Sequence, residues 1–135
     1  MAILKTENKI IFKFYPYRIS DNENPIWIQT QIVFSAANKE LISDTLSITS
    51  MDIEDMIKGM KSLEQTKSFK LTTMDENFIF HVYYDEIPNK IIIEFWFGEP
   101  PSFMSGYRFI VDNNSLQNFI GELISDQKNF EGKGN

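Results

Sequence analysis

Apolar and polar residues alternate along much of this chain, and a two-residue period is the signature of a half-buried strand. Around 9–15, Ile10, Phe12 and Phe14 fall on one side while Ile11, Lys13 and Tyr15 fall on the other. Tyr15-Pro16-Tyr17 and the run Ser20-Asp21-Asn22-Glu23-Asn24-Pro25 carry turn and loop chemistry. A second strand is predicted over 26–35, with Ile26, Ile28, Ile32 and Phe34 inward and Trp27, Gln29, Gln31 and Val33 outward. Ala36-Ala37-Asn38-Lys39 connects it to a weaker strand over 41–48. There Asp44 shares a side with Ile42, Leu46 and Ile48, which predicts a bulge or an early strand end.

The period then changes. Ile53, Met56, Ile57, Met60 and Leu63 recur at three- and four-residue spacing, one apolar stripe of a helix that should end near 64–66. Thr49 or Ser50 can cap it, and Asp52, Glu54 and Asp55 suit the positive end of its dipole. Gly59 costs about 1 kcal/mol relative to Ala but leaves the stripe intact.

Strands follow at 68–73, 77–84 and 90–97, the last two joined around Ile87-Pro88-Asn89-Lys90, where Pro sets the first central turn position. Pairing 87 with 90 puts Phe80, Val82 and Tyr84 on one apolar face with Ile93, Phe95 and Phe97. It places His81 opposite Trp96 and Tyr83 opposite Glu94 on the second face. After Gly98-Glu99-Pro100-Pro101, a strand over 107–111 leads to a second helix. Asn113, Asn114 or Ser115 caps that helix, and Leu116, Phe119, Ile120, Leu123 and Ile124 form its stripe. The order predicts an α+β fold, a mostly antiparallel β-sheet of six to seven strands with two amphipathic helices on one face. Residues 1–128 form a single domain in this reading, and 129–135 have the composition of a flexible tail.

Size and composition narrow the possibilities. A chain of 135 residues with 42% hydrophobic residues can bury a core without a disulfide or metal, and it has no cysteine for thiolate chemistry. Lys5, Glu7, Lys9 and Lys13 interrupt the N-terminal segment, and the longest apolar runs, such as Ile91-Ile92-Ile93, are far short of a membrane span. A soluble, cytoplasmic protein is therefore expected. The net charge of −6 repels phosphates and anionic lipid, and serves either solubility or a basic protein partner.

Catalytic chemistry has little to work with. His81 is the lone histidine, with Glu94 as a conceivable partner, and stacking in a sheet face is its simpler role. The acid groups Asp75-Glu76, Asp85-Glu86 and Asp52-x-Glu54-Asp55 sit in expected turns or a first helical turn, where solvated carboxylates belong. Asp21-Asn22-Glu23-Asn24 lacks the spacing and terminal acid of a calcium loop. There is no phosphate loop, no GxSxG elbow and no HExxH helix, and two arginines without basic-aromatic interleaving do not suit nucleic acid. No cofactor, no metal and no catalytic residue is expected. What remains is the second sheet face, predicted to gather Trp27, His81, Tyr83, Ile92, Glu94 and Trp96. Such aromatics suit protein recognition. The alternatives are that loops or another subunit cover this face, or that it curls over a minor core.

The segments Asn24-Pro25-Ile26-Trp27-Ile28, Asp52-Ile53-Glu54-Asp55-Met56-Ile57-Lys58-Gly59-Met60, Asp75-Glu76-Asn77-Phe78-Ile79-Phe80 and Ile91-Ile92-Ile93-Glu94-Phe95 carry a resemblance, together with the closing strand and helix at 107–127. In the order of these elements the chain resembles the WapI-type immunity proteins of bacterial contact-dependent toxin systems over most of 9–127. The resemblance implies a cytosolic antitoxin that binds a cognate toxin domain, often one that cleaves RNA or DNA, and blocks it. A basic toxin would agree with the acidic charge. Trp27, His81, Tyr83, Asp85, Glu94 and Trp96 are then the candidate partner-binding residues. The competing classes are an enzyme or small-ligand binder with a pocket beneath the 98–106 loop, and an adaptor that binds no toxin.

Overall fold

The computed structural model describes residues 1–6, 8–21, 25–87, 90–98 and 105–130. The order of elements is β1 (Ala2–Lys5), β2 (Ile11–Asp21), β3 (Trp27–Ala36), β4 (Lys39–Thr49), α1 (Ser50–Lys61), α2 (Leu63–Thr66), β5 (Ser68–Thr72), β6 (Phe78–Tyr84), β7 (Ile91–Phe97), β8 (Ser105–Val111) and α3 (Asn113–Lys128). The chain is α+β and antiparallel throughout, as the alternation requires. Among the described residues the strands number eight, more than the six to seven expected, and divide into two four-stranded sheets, ordered β1-β2-β3-β4 and β5-β6-β7-β8.

The inward residues of each sheet meet those of the other. Phe12 of β2 lies within 4.8–6.2 Å, ring centroid to ring centroid, of Phe80, Phe95, Phe109 and Phe119. Strands of the second sheet and helix α3 thus complete one core on the inner side of the first sheet. Ile53, Met56, Ile57 and Met60 of α1 and Leu116, Phe119, Ile120 and Leu123 of α3 are buried in it, the stripes expected from their spacing. Gly59 has a packing reason: a Cβ there would collide with the Phe69 ring of β5, so glycine lets α1 lie against that strand.

Strand β1, short and next to charged residues, was not expected. It stands because α3 runs along its free edge. Ser115 Oγ donates to the Lys5 carbonyl (3.1 Å), Ile3 N–H to Glu122 (3.4 Å), and the Met1 ammonium to the buried Asp126 (2.6 Å). Alternate β1 residues therefore find partners on one helix face, which covers an edge that would otherwise be open.

Other expectations are corrected locally. Strand β4 runs through Asp44 to Thr49, and the bulge lies instead at Leu41, between the pairs Phe34–Ile42 and Ser35–Glu40. Asp44 is tolerated because β4 is an edge strand, where its exposed carboxylate takes the Thr45 N–H at 2.8 Å. Tyr15-Pro16-Tyr17 lies within β2, which absorbs the irregularity as a register shift between Pro16 and Arg18. The first helix is capped by Thr49, and Asp52, expected in solvent, is buried. Its carboxylate accepts the Thr49 N–H (2.9 Å) and the Met74 N–H (3.2 Å), fastening the β5–β6 turn to the helix. Helix α3 is capped by Asp112, one residue before the expected caps. Phe130, placed in the tail by composition, is buried among the core residues, and 131–135 lie outside the described residues.

Candidate functional site

The register of the β6–β7 hairpin decides what the outer face of the second sheet can do. Asp85 N–H donates to Lys90 O at 2.9 Å, so the ladder closes with Tyr84 opposite Ile91, two residues away from the expected pairing. A shift of two keeps every side chain on its expected face but changes its partner. His81 faces Glu94 rather than Trp96, and Tyr83 faces Ile92 rather than Glu94. The Lys90 N–H donates to the Ile87 carbonyl at 3.3 Å, the closing bond of the expected turn, whose central residues Pro88 and Asn89 lie outside the described residues.

Three rows result across β5, β6, β7 and β8. They are Ser68–Tyr83–Ile92–Ile110, Lys70–His81–Glu94–Arg108 and Thr72–Ile79–Trp96–Gly106. Glu94 is the centre. Its Oε1 accepts the Tyr83 hydroxyl at 2.5 Å and lies 3.6 Å from Arg108 Nε, while its Oε2 lies 3.6 Å from His81 Nδ1. The carboxylate's bond to Tyr83, followed by desolvation and the Glu94 charge, raises the phenol's pKa, against a lowering by Arg108. The His81 ring stacks on Tyr83 at 4.5 Å between centroids, and its Nε2 lies 3.0 Å from Ser68 Oγ. Trp96 lies across Gly106, where a Cβ would sit 2.5 Å from the indole Cδ1 and Nε1. Ile92 points outward yet is 2% exposed, so the side chains around it close over it.

Of the sequence-predicted residues, this face brings together His81, Tyr83, Glu94 and Trp96. Asp85 stands at the hairpin end, its carboxylate engaged by the Glu86 N–H at 2.8 Å. Trp27 is not brought there. It begins β3 in the first sheet, on the outward side of a strand whose inward residues Ile28, Ile32 and Phe34 pack toward the second sheet, so the two faces look in opposite directions. Assigning every outward aromatic to one sheet produced that error. Lys70, Arg108 and Ile110 were missed, and only the strand order, which sets β5 and β8 beside the hairpin, would have found them.

Ser68, His81 and Glu94 lie in a line whose first spacing suits proton transfer. A recess of about 220 Å³ is lined by Lys5, Thr6, Asn8, Lys90, Ile110, Val111, Asp112 and Ser115, and includes none of those three. Among the described residues no cluster of three or more metal-ligating side chains occurs. The pocket considered beneath the 98–106 loop falls largely on 99–104, outside the described residues. What the face offers is a fixed aromatic surface with a charged centre.

The profile of the Immunity protein WapI-like family matches residues 3–131, which spans every element from β1 to α3. The chain belongs to that family. The resemblance carried by its element order is thereby met, and an immunity protein role follows for this WapI-like chain. No curated protein matches it. No helix among the described residues is long and apolar enough to cross a membrane.

Proposed function

We propose that this WapI-like protein neutralises a cognate bacterial toxin domain in the cytoplasm by direct protein–protein contact, without turnover, as part of contact-dependent inhibition. The docking surface in this reading is the outer face of the second sheet. The observation that carries it is the fixation of that face. Trp96 rests on Gly106, His81 on Tyr83, and Tyr83 is held by Glu94, so the anchors are ordered before the partner arrives. Pre-ordered aromatic side chains lose little entropy on docking, and Trp and Tyr dominate interface hot spots.

The net charge of −6 supports a basic toxin, drawn in over distance. Asp85 and Glu86 at the hairpin end add negative charge beside the face, whereas Glu94 is spent on internal partners and contributes order. The test is association and dissociation kinetics with the cognate toxin domain. Trp96→Ala is expected to weaken binding by at least about 2 kcal/mol, mainly through faster dissociation, and added salt to slow association. Unchanged affinity of the Trp96 variant would remove this face from the complex.

A further inference from the structure

The sign of charge on the second sheet's outer face differs from that of the chain. Lys70 and Arg108 flank the central row, one on each edge strand, and Glu94 is its lone carboxylate. The other outward positions of the three rows carry no formal charge, His81 aside. Two cations against one acid leave these three rows locally positive, with Asp85 and Glu86 only at the hairpin end, on a chain of net charge −6.

The acid cannot meet a partner's cation on equal terms. Its two oxygens already face Tyr83, Arg108 and His81, and its side chain is only 20% exposed. Arg108 is the reverse case. Its Nε lies 3.6 Å from Glu94, it also hydrogen-bonds to the Tyr83 side chain, and its side chain is still 63% exposed. Lys70 is exposed and makes no ion pair among the described residues. A guanidinium presents a planar fork that matches a carboxylate with two parallel hydrogen bonds.

Resting on the docking reading above, we propose that the outer face of the second sheet receives acidic side chains of the protein partner, one at Arg108 and one at Lys70 on the opposite edge strands, beside an apolar group seated on Trp96 and Ile79. Attraction at long range and contact at short range then have opposite signs. The −6 field draws a basic domain from afar, while the contact itself selects a carboxylate. A polyanion such as RNA fits less well. Two cations neutralise few phosphates, and nucleic acid affinity rests on neutralising several.

The experiment is equilibrium binding of the cognate toxin domain to the full chain carrying Lys70→Glu, Arg108→Gln, Arg108→Glu or Trp96→Ala, with thermal melts of each. Lys70→Glu and Arg108→Glu are each expected to weaken binding ten-fold or more, Arg108→Gln less, with Lys70→Glu melting like the parent. Lys70→Glu keeps the test open should Arg108→Glu disturb Glu94. If Trp96→Ala weakens binding while both charge reversals leave it unchanged or tighten it, the carboxylates are absent and the docking face survives. If Trp96→Ala has no effect, the docking reading fails and this inference with it. Displacement of the toxin by poly(U) that depends on Arg108 would assign the cations to phosphate and also overturn the proposal.

Discussion

The two outer faces of this protein are built from the same kind of strand and differ in what holds their side chains. On the first sheet Gln29 faces Ser47, Gln31 faces Thr45 and Val33 faces Ser43. Across those pairs, among the described residues, the side-chain hydrogen bond is a long one, Gln31 Nε2 to Ser43 Oγ at 3.5 Å. Those three pairs contain no charged side chain. Each polar group is free to be solvated by itself, which suits a surface meant for water. On the second sheet one carboxylate draws in a phenol and an imidazole from one neighbouring strand and a guanidinium from the other. Charge-assisted bonds of this kind fix side chains as well as join them. The two sheets therefore present one solvated surface and one ordered one, and order is what a docking surface needs.

The comparison is broken most severely from the inside. Phe95 lies between Glu94 and Trp96 in sequence but points the other way, fully buried, with its ring within 4.8–6.4 Å of Phe12, Phe34, Phe78, Tyr107 and Phe109. Phe95→Ala should cost about 3–5 kcal/mol in denaturant melts, as buried Phe truncations do. A cost below about 1 kcal/mol would mean that the faces of β7 are assigned the wrong way round.

That assignment was open to sequence reading because face depends only on parity. Phe80, Val82, Phe95 and Trp96 each lie on the side their position in the alternation gives. Partners depend on the register of the ladder, which the turn over 87–90 does not fix by itself and which the Asp85–Lys90 bond sets two residues away from the expected pairing. The helices were legible because their stripes and caps are local signals. Strand β1 was not, since its stability rests on Ser115, Glu122 and Asp126, more than 100 residues away. Trp27 shows the same limit for the site. Parity places it outward, but which sheet it belongs to is a matter of topology.

A smaller effect should come from removing the centre of the ordered face. Glu94→Gln keeps the shape of the side chain but takes away the charge that Tyr83, His81 and Arg108 share. We expect a loss of about 1 kcal/mol, the scale of a partly exposed charge-assisted hydrogen bond. The raised phenol pKa gives a sharper reading. A pKa raised on folding stabilises the protonated form, so Tyr83 contributes stability fully below its unfolded pKa of about 10, and that stability is lost as pH rises through the folded value. Ultraviolet titration of the five tyrosines should show one late phase that moves to lower pH in Glu94→Gln. Alkaline melts should show the parent's advantage over the variant shrinking across the same range. A titration identical in both proteins would remove Glu94 as the cause.

The smallest expected effect is the most direct test of the contrast between faces. Trp27 is the one tryptophan outside the second sheet, and tryptophan is the residue type most often found at interface hot spots. Composition alone would therefore rank it equal to Trp96. Its setting does not. It starts β3 between its pair partners Asp21 and Thr49, with its carbonyl accepting from Ser20 Oγ at 3.3 Å, and belongs to the other sheet from the cluster around Glu94. We expect Trp27→Ala to leave toxin affinity within about two-fold, under about 0.5 kcal/mol, in the same kinetic assay in which Trp96→Ala costs at least about 2 kcal/mol. Equal losses in the two variants would spread the interface over opposite sides of the sandwich, which one compact partner domain cannot cover. The ordering around Glu94 would then be a feature of stability alone. A loss confined to Trp27 would transfer the docking surface to the first sheet, where unanchored amides and hydroxyls would have to be ordered by the partner itself.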